Sequence, residues 1–177
     1  MNIKRLSLSL FTSSWMLGAV YGQIRPNFTG AWEFVCVERD GMRITFSTPG
    51  NTLNKETQIF AHQEPNLKIK MLLQSPSGLT TLDLQYTTDG KTRPVGVIKR
   101  ASGVEDTVDG SARWEGDRLI YEQGVHDSVK EKVFHVVRSL KLEKNGTSLV
   151  ADQVTWLEPG GSKSTAKWFW EKKQNVP

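Results

Sequence analysis

The chain has 177 residues, 23 of them Lys or Arg and 19 Asp or Glu, for a formal net charge of +4. That length suits one domain with a sizeable core. Beyond Lys4-Arg5 the basic doublets are Lys99-Arg100 and Lys172-Lys173, too scattered for a nucleic-acid footprint, and a single cysteine, Cys36, excludes an intramolecular disulfide.

The N-terminus has its own layout. Lys4 and Arg5 precede a mostly apolar run, Leu6–Val20, and Val20 and Gly22 stand three and one residues before Gln23. This pattern predicts a secretory signal peptide over residues 1–22 and a mature domain over 23–177, secreted or periplasmic. The apolar run is about 15 residues and holds several Ser and Thr, so no stable membrane span is expected once it is removed. An N-terminal anchor or a buried helix is the competing reading. Without Lys4 and Arg5, the 23 basic residues fall to 21 against 19 acidic ones, a formal charge of +2.

From Asn27 the chain changes character. In Asn27–Glu38, NFTGAWEFVCVE, Phe28, Trp32, Phe34 and Cys36 fall on one face and Thr29, Glu33 and Val37 on the other. Period-two alternation marks a half-buried strand. Gly30 leaves room for another group to approach closely. Arg39–Asn54 breaks the rhythm with Asp40-Gly41 and Pro49-Gly50, while Met42, Ile44 and Phe46 alternate as a short strand or flap would.

Beyond Lys55, short β-type runs alternate with turn clusters at Glu64-Pro65-Asn66, Ser75–Gly78, Asp89-Gly90, Glu115–Asp117, Asn145-Gly146 and Pro159–Gly161. Asp-Gly and Asn-Gly supply the positive φ that tight hairpins need. Ten strands are predicted, over 28–38, 55–63, 67–74, 79–87, 93–100, 106–114, 118–126, 131–143, 148–157 and 163–173. Val129–Leu142 is the best helical rival, but Phe134, Val136, Arg138, Leu140 and Leu142 alternate and the run is rich in β-branched residues.

The prediction is therefore an all-β fold, an up-and-down antiparallel β-barrel of 8–10 strands, in which closure removes the exposed edges. A β-sandwich would use the same alternation. The expected inward set is Trp32, Phe34, Cys36, Ile59, Ile69, Met71, Leu84, Tyr86, Trp114, Tyr121, Phe134, Val136, Arg138, Trp168 and Trp170.

At this point the residues reach a family. Gly30-Ala31-Trp32 resembles the Gly-x-Trp signature of lipocalins and the wider calycin group, and the long connection Arg39–Asn54 falls where lipocalins cover the barrel mouth. Thr88–Lys91, Trp114–Leu119 and Arg138–Leu142 before Asn145-Gly146 are similar to phrases of small exported bacterial lipocalin-like proteins. The resemblance spans Asn27 to Lys173 and implies a barrel that binds a small lipophilic molecule. Lipocalins place a late-strand Arg over the Trp. Arg138 or Lys167 is the candidate here, and the lack of an Arg on the last strand is a departure.

Catalytic signals are weak. There is no Gly-x-Ser-x-Gly elbow, and His62, His126 and His135 lie on three different predicted strands without metal-ligand spacing. His126-Asp127 could pair as an imidazole and its orienter. An inward His62 or His126 would be needed for haem. The aromatics either fill the interior or wall a pocket, and pockets combine apolar walls with a few placed polar groups. The tentative ligand-binding set is Trp32, Phe34, Met71, Tyr86, Trp114, Tyr121, Phe134, Arg138 and Trp168, with Gln123 as a further polar group. An inward Arg138 needs a carboxylate or a ring to stack on. The expectation is a non-catalytic binder of an apolar or amphipathic molecule, with no cofactor, metal or nucleic acid. The alternatives are a barrel filled by its own side chains, or an enzyme built around His126 or Tyr121.

Overall fold

A computed structural model describes residues 25–45, 55–128 and 132–173. The segment expected to be a signal peptide and part of the Arg39–Asn54 connection lie outside the described residues. The strands are β1 (Gly30–Arg39), β2 (Met42–Ile44), β3 (Lys55–Gln63), β4 (Asn66–Ser75), β5 (Gly78–Thr87), β6 (Arg93–Lys99), β7 (Glu105–Glu115), β8 (Arg118–Asp127), β9 (Lys132–Glu143), β10 (Ser148–Glu158) and β11 (Ser164–Lys172). A one-turn 3-10 helix, Lys144–Gly146, joins β9 to β10.

Each strand from β3 to β11 pairs antiparallel with the next, and β11 returns to pair with β1. Ten strands close the up-and-down barrel, and β2 is a short flap on the C-terminal half of β1, where Val37 faces Ile44. Closure leaves no long edge to template another chain. The Met42–Ile44 alternation is thus a strand, the eleventh, beside the ten expected.

Alternation decides which residues go inside, with two corrections. Ile59 is 38% exposed and points outward, while Gln58 and Phe60 are buried. Strand β3 carries its polar residues inward, so the most apolar residue in the run was the wrong guide. On β1, a bulge between Phe34 and Cys36 shifts the register against β11. Cys36 then pairs with Phe169 on the outer face, and Val37 takes the inward place opposite Trp168. A bulge adds one residue to one strand and so flips every side chain beyond it. Cys36 is still fully buried, and burial raises its thiol pKa.

The interior is divided along the barrel axis. The hairpin ends at 64–65, 88–92, 116–117 and 144–147 form the lower rim. Phe28, Trp32, Phe60, Leu67, Leu84, Leu119, Leu140, Leu149 and Trp170 fill the lower half as one apolar core. Trp32 donates its Nε1 proton to the Phe28 carbonyl at 3.0 Å, which fastens the incoming chain beneath the barrel. The cation over Trp32 is Lys172 on β11, its Nζ 5.5 Å from the ring centroid. Neither Arg138 nor Lys167 takes that place.

Below the core, Glu64 ties the lower rim together. It accepts hydrogen bonds from Arg25 Nη1 at 2.9 Å, Thr88 Oγ1 at 2.7 Å and Trp114 Nε1 at 2.5 Å, and contacts His62 Nε2 at 2.9 Å. Burial works to raise its pKa, but the bonds from Thr88, His62 and Trp114 and the nearby Arg25 charge outweigh it and hold the carboxyl at about 2.

Candidate functional site

The upper half of the barrel holds a cavity of about 600 Å³. Its walls are Met71 and Leu73 from β4, Leu82 from β5, Ile98 from β6, Val125 from β8, Phe134 and Val136 from β9, and Leu157 from β10. These are inward positions near the upper ends of their strands. The polar groups are Glu56, Thr80 and Gln123 within, Arg138 at the deep end, and Arg100, Asp106, Asp127 and Lys132 toward the rim. The size and the mixture match small-molecule pockets, which run about 300–1,000 Å³.

Arg138 is placed by strand register. Tyr121 on β8 and Gln153 on β10 are its cross-strand neighbours, so the three side chains form one inward row. Arg138 donates from Nε to Gln153 Oε1 at 2.5 Å and from Nη1 to the Tyr121 hydroxyl at 2.9 Å, with Met71 Sδ at 3.5 Å. Its guanidinium carbon lies 5.8 Å from the Trp168 ring, 5.9 Å from Trp170 and 6.0 Å from Tyr121. Only 8% of the residue is exposed, and among the described residues it has no ion pair. Burial opposes the charge, but Tyr121 and Glu56 outweigh it and the arginine pKa is raised. The buried cation is thus held by the hydrogen bonds to Gln153 and Tyr121, by ring faces and by the Glu56 charge.

A second polar pair stands on β3. Glu56 is 6% exposed and accepts a hydrogen bond from Gln58 Nε2. The buried Gln58 Oε1 has no donor among the described residues. Tyr86 and Tyr121 lie with ring centroids 5.8 Å apart, and the Tyr86 hydroxyl accepts from Gln123 Nε2 at 2.9 Å. Burial raises the pKa of both phenols, so both stay protonated and accept these bonds as neutral hydroxyls.

The rim carries an ionic lock. Arg100 Nε donates to Asp106 Oδ2 at 2.6 Å and Arg100 Nη2 pairs with Asp127 Oδ2 at 3.1 Å. Asp106 Oδ1 accepts from the backbone N and the hydroxyl of Ser128, both at 3.0 Å. Burial would raise the Asp106 pKa, but Ser128 and Arg100 together lower it. The lock ties the ends of β6, β7 and β8 together at the mouth.

Of the predicted site residues, Met71, Phe134 and Arg138 line the cavity, as does the further polar group Gln123. Tyr121 and Trp168 hold Arg138 from behind, Tyr86 braces Tyr121 and Gln123, and Phe34 packs on Trp168 at 5.4 Å. Trp32 and Trp114 are elsewhere, sealing the core and joining Glu64 at the lower rim. Inward alternation alone does not tell depth along the barrel axis, which is why both were grouped with the pocket. Phe134 is 42% exposed because it stands at the mouth. Glu56, Asp106 and Arg100 were missed; the alternation Glu56, Gln58, Phe60 was the available signal.

The histidines do not form a centre. The His126-Asp127 pair is not made, because neighbours on a strand face opposite sides. Asp127 turns to Arg100, and His126 pairs on the outer wall with Asp109 at 3.0 Å. His135 pairs with Glu158 at 2.7 Å and His62 with Glu64. None of the three lines the cavity. No group of His, Cys, Asp or Glu suited to a metal occurs among the described residues, and no helix among them is long and apolar enough to cross a membrane. A search for known protein families gives no match to this chain, and a search of curated proteins finds no similar sequence.

Proposed function

We propose that the protein is an exported, lipocalin-like carrier that binds a small apolar or amphipathic molecule in the barrel without transforming it. The observation that carries this reading is the half-filled barrel: side chains occupy the lower interior, and a cavity of about 600 Å³ with mostly apolar walls occupies the upper. A barrel serving only as a scaffold has no need of such a space, since closely packed interiors hold few voids larger than a water molecule. Gly30-Ala31-Trp32 with a lysine over the ring supports the lipocalin likeness. Lys4-Arg5 and Leu6–Val20 support export to the periplasm or the medium.

The test is native mass spectrometry of purified residues 23–177, followed by titration with an anilinonaphthalene-type probe and displacement by a fatty-acid series. A discrete added mass, or probe fluorescence that fatty acids displace, is expected. A clean apo mass together with no probe binding favours the structural barrel instead.

A further inference from the structure

The carrier reading leaves open what kind of molecule enters. Two buried polar groups in the cavity bear on it. Arg138 uses Nε and Nη1 on Gln153 and Tyr121, while Nη2 makes no hydrogen bond to any described residue. Glu56, also inside the cavity, has Gln58 as its one hydrogen-bond partner among the described residues, and the neighbouring Gln58 Oε1 has none. Arg138 and Glu56 do not pair with each other. Each is more than nine-tenths buried. Both line the cavity with hydrogen-bonding capacity unused, so Arg138 offers a donor to an entering acceptor and Glu56 an acceptor to an entering donor. The Glu56 charge also acts on this guanidinium, so a head with more than one negative charge is disfavoured.

Resting on the carrier reading, we propose that the cavity takes a singly charged carboxylate amphiphile inserted head first. Its carboxylate accepts from Arg138 Nη2, and a hydroxyl close to the head donates to Glu56. The tail then runs toward the mouth between Leu73, Leu82, Val125 and Leu157. The class is that of hydroxylated fatty acids. The Glu56 carboxylate repels a plain anion, and the hydroxyl turns that repulsion into a hydrogen bond.

The experiment is calorimetric titration of residues 23–177 with dodecanoate, β-hydroxydodecanoate, dodecanol and dodecyltrimethylammonium. Binding of β-hydroxydodecanoate tightest, dodecanoate next, and dodecanol weaker than dodecanoate by about tenfold or more is expected. In Arg138→Met the dodecanoate-to-dodecanol preference falls to about one, and in Arg138→Lys part of it returns. In Glu56→Leu the advantage of the hydroxyl disappears. If Arg138→Met does not fold, the Arg138→Lys variant and the wild-type order still decide. Equal binding of dodecanol and dodecanoate overturns the anionic head while leaving the carrier standing. Preference for the ammonium amphiphile overturns it outright, and no gain from the hydroxyl overturns the Glu56 half. Failure of every amphiphile sinks the carrier reading itself.

Discussion

Glu64 is one carboxylate on which Arg25, His62, Thr88 and Trp114 converge. Its pKa is depressed from 4.5 to about 2, so the folded state keeps the carboxylate ionised where the unfolded chain binds a proton. The stability this contributes is present above about 4.5 and is lost as pH falls through about 2. Melting temperature measured against pH should therefore drop across that window, and Glu64→Gln should lie lower at neutral pH with a flatter acid limb. Equal slopes for both proteins would remove Glu64 from the account. Gly30 makes a second residue-scale case. Its φ is +144°, and a Cβ there would stand 2.8 Å from Lys172 Cε, the stem of the cation over Trp32. Gly30→Ala should cost about 1–3 kcal/mol in urea unfolding, because both the backbone and the lysine must shift. The Gly-x-Trp spacing was legible in the sequence. Its partner was not, since the closing pair β1–β11 joins residues at opposite ends of the chain.

Strand alternation was readable wherever polar and apolar residues took strict turns. Strands β4, β5 and β8 put the expected residues inside: Ile69 and Met71, Leu84 and Tyr86, and Tyr121. It failed where local order was broken. The β1 bulge exchanged Cys36 for Val37, and the inward Glu56 and Gln58 of β3 looked like a solvent face because their partners come from elsewhere in the barrel. Strand β6 is the most irregular of the closed set. Gly96 has φ +156°, and a Cβ there would meet the Asp83 carbonyl oxygen at 2.0 Å. Both neighbours are backbone, so nothing can give way. Gly96→Val should break the β5–β6 pairing, lowering the melting temperature far more than Gly124→Val, whose Cβ has only side-chain contacts at 3.5 Å or more. Comparable losses in the two variants would count against this steric account.

The whole barrel is firm below and hollow above. The lower half is packed by Phe28, Trp32, Phe60 and Trp170, and the upper half is closed on one side by the Arg100–Asp106–Asp127 lock. Val125→Trp should narrow the cavity and weaken probe binding while leaving the melting temperature within a few degrees. Asp106→Asn should loosen the rim, releasing bound probe faster in stopped-flow measurements; unchanged release would separate the lock from the mouth. The amino-acid sequence by itself determined the all-β class and the hairpin order. Turn residues and period-two alternation are local properties, and strands joined by short turns pair with their neighbours. Only the tertiary structure decided which inward residues fill the core and which line the cavity. Depth along the axis depends on strand register around a closed ring, and the bulge on β1 and the return of β11 are settled by packing across the whole barrel.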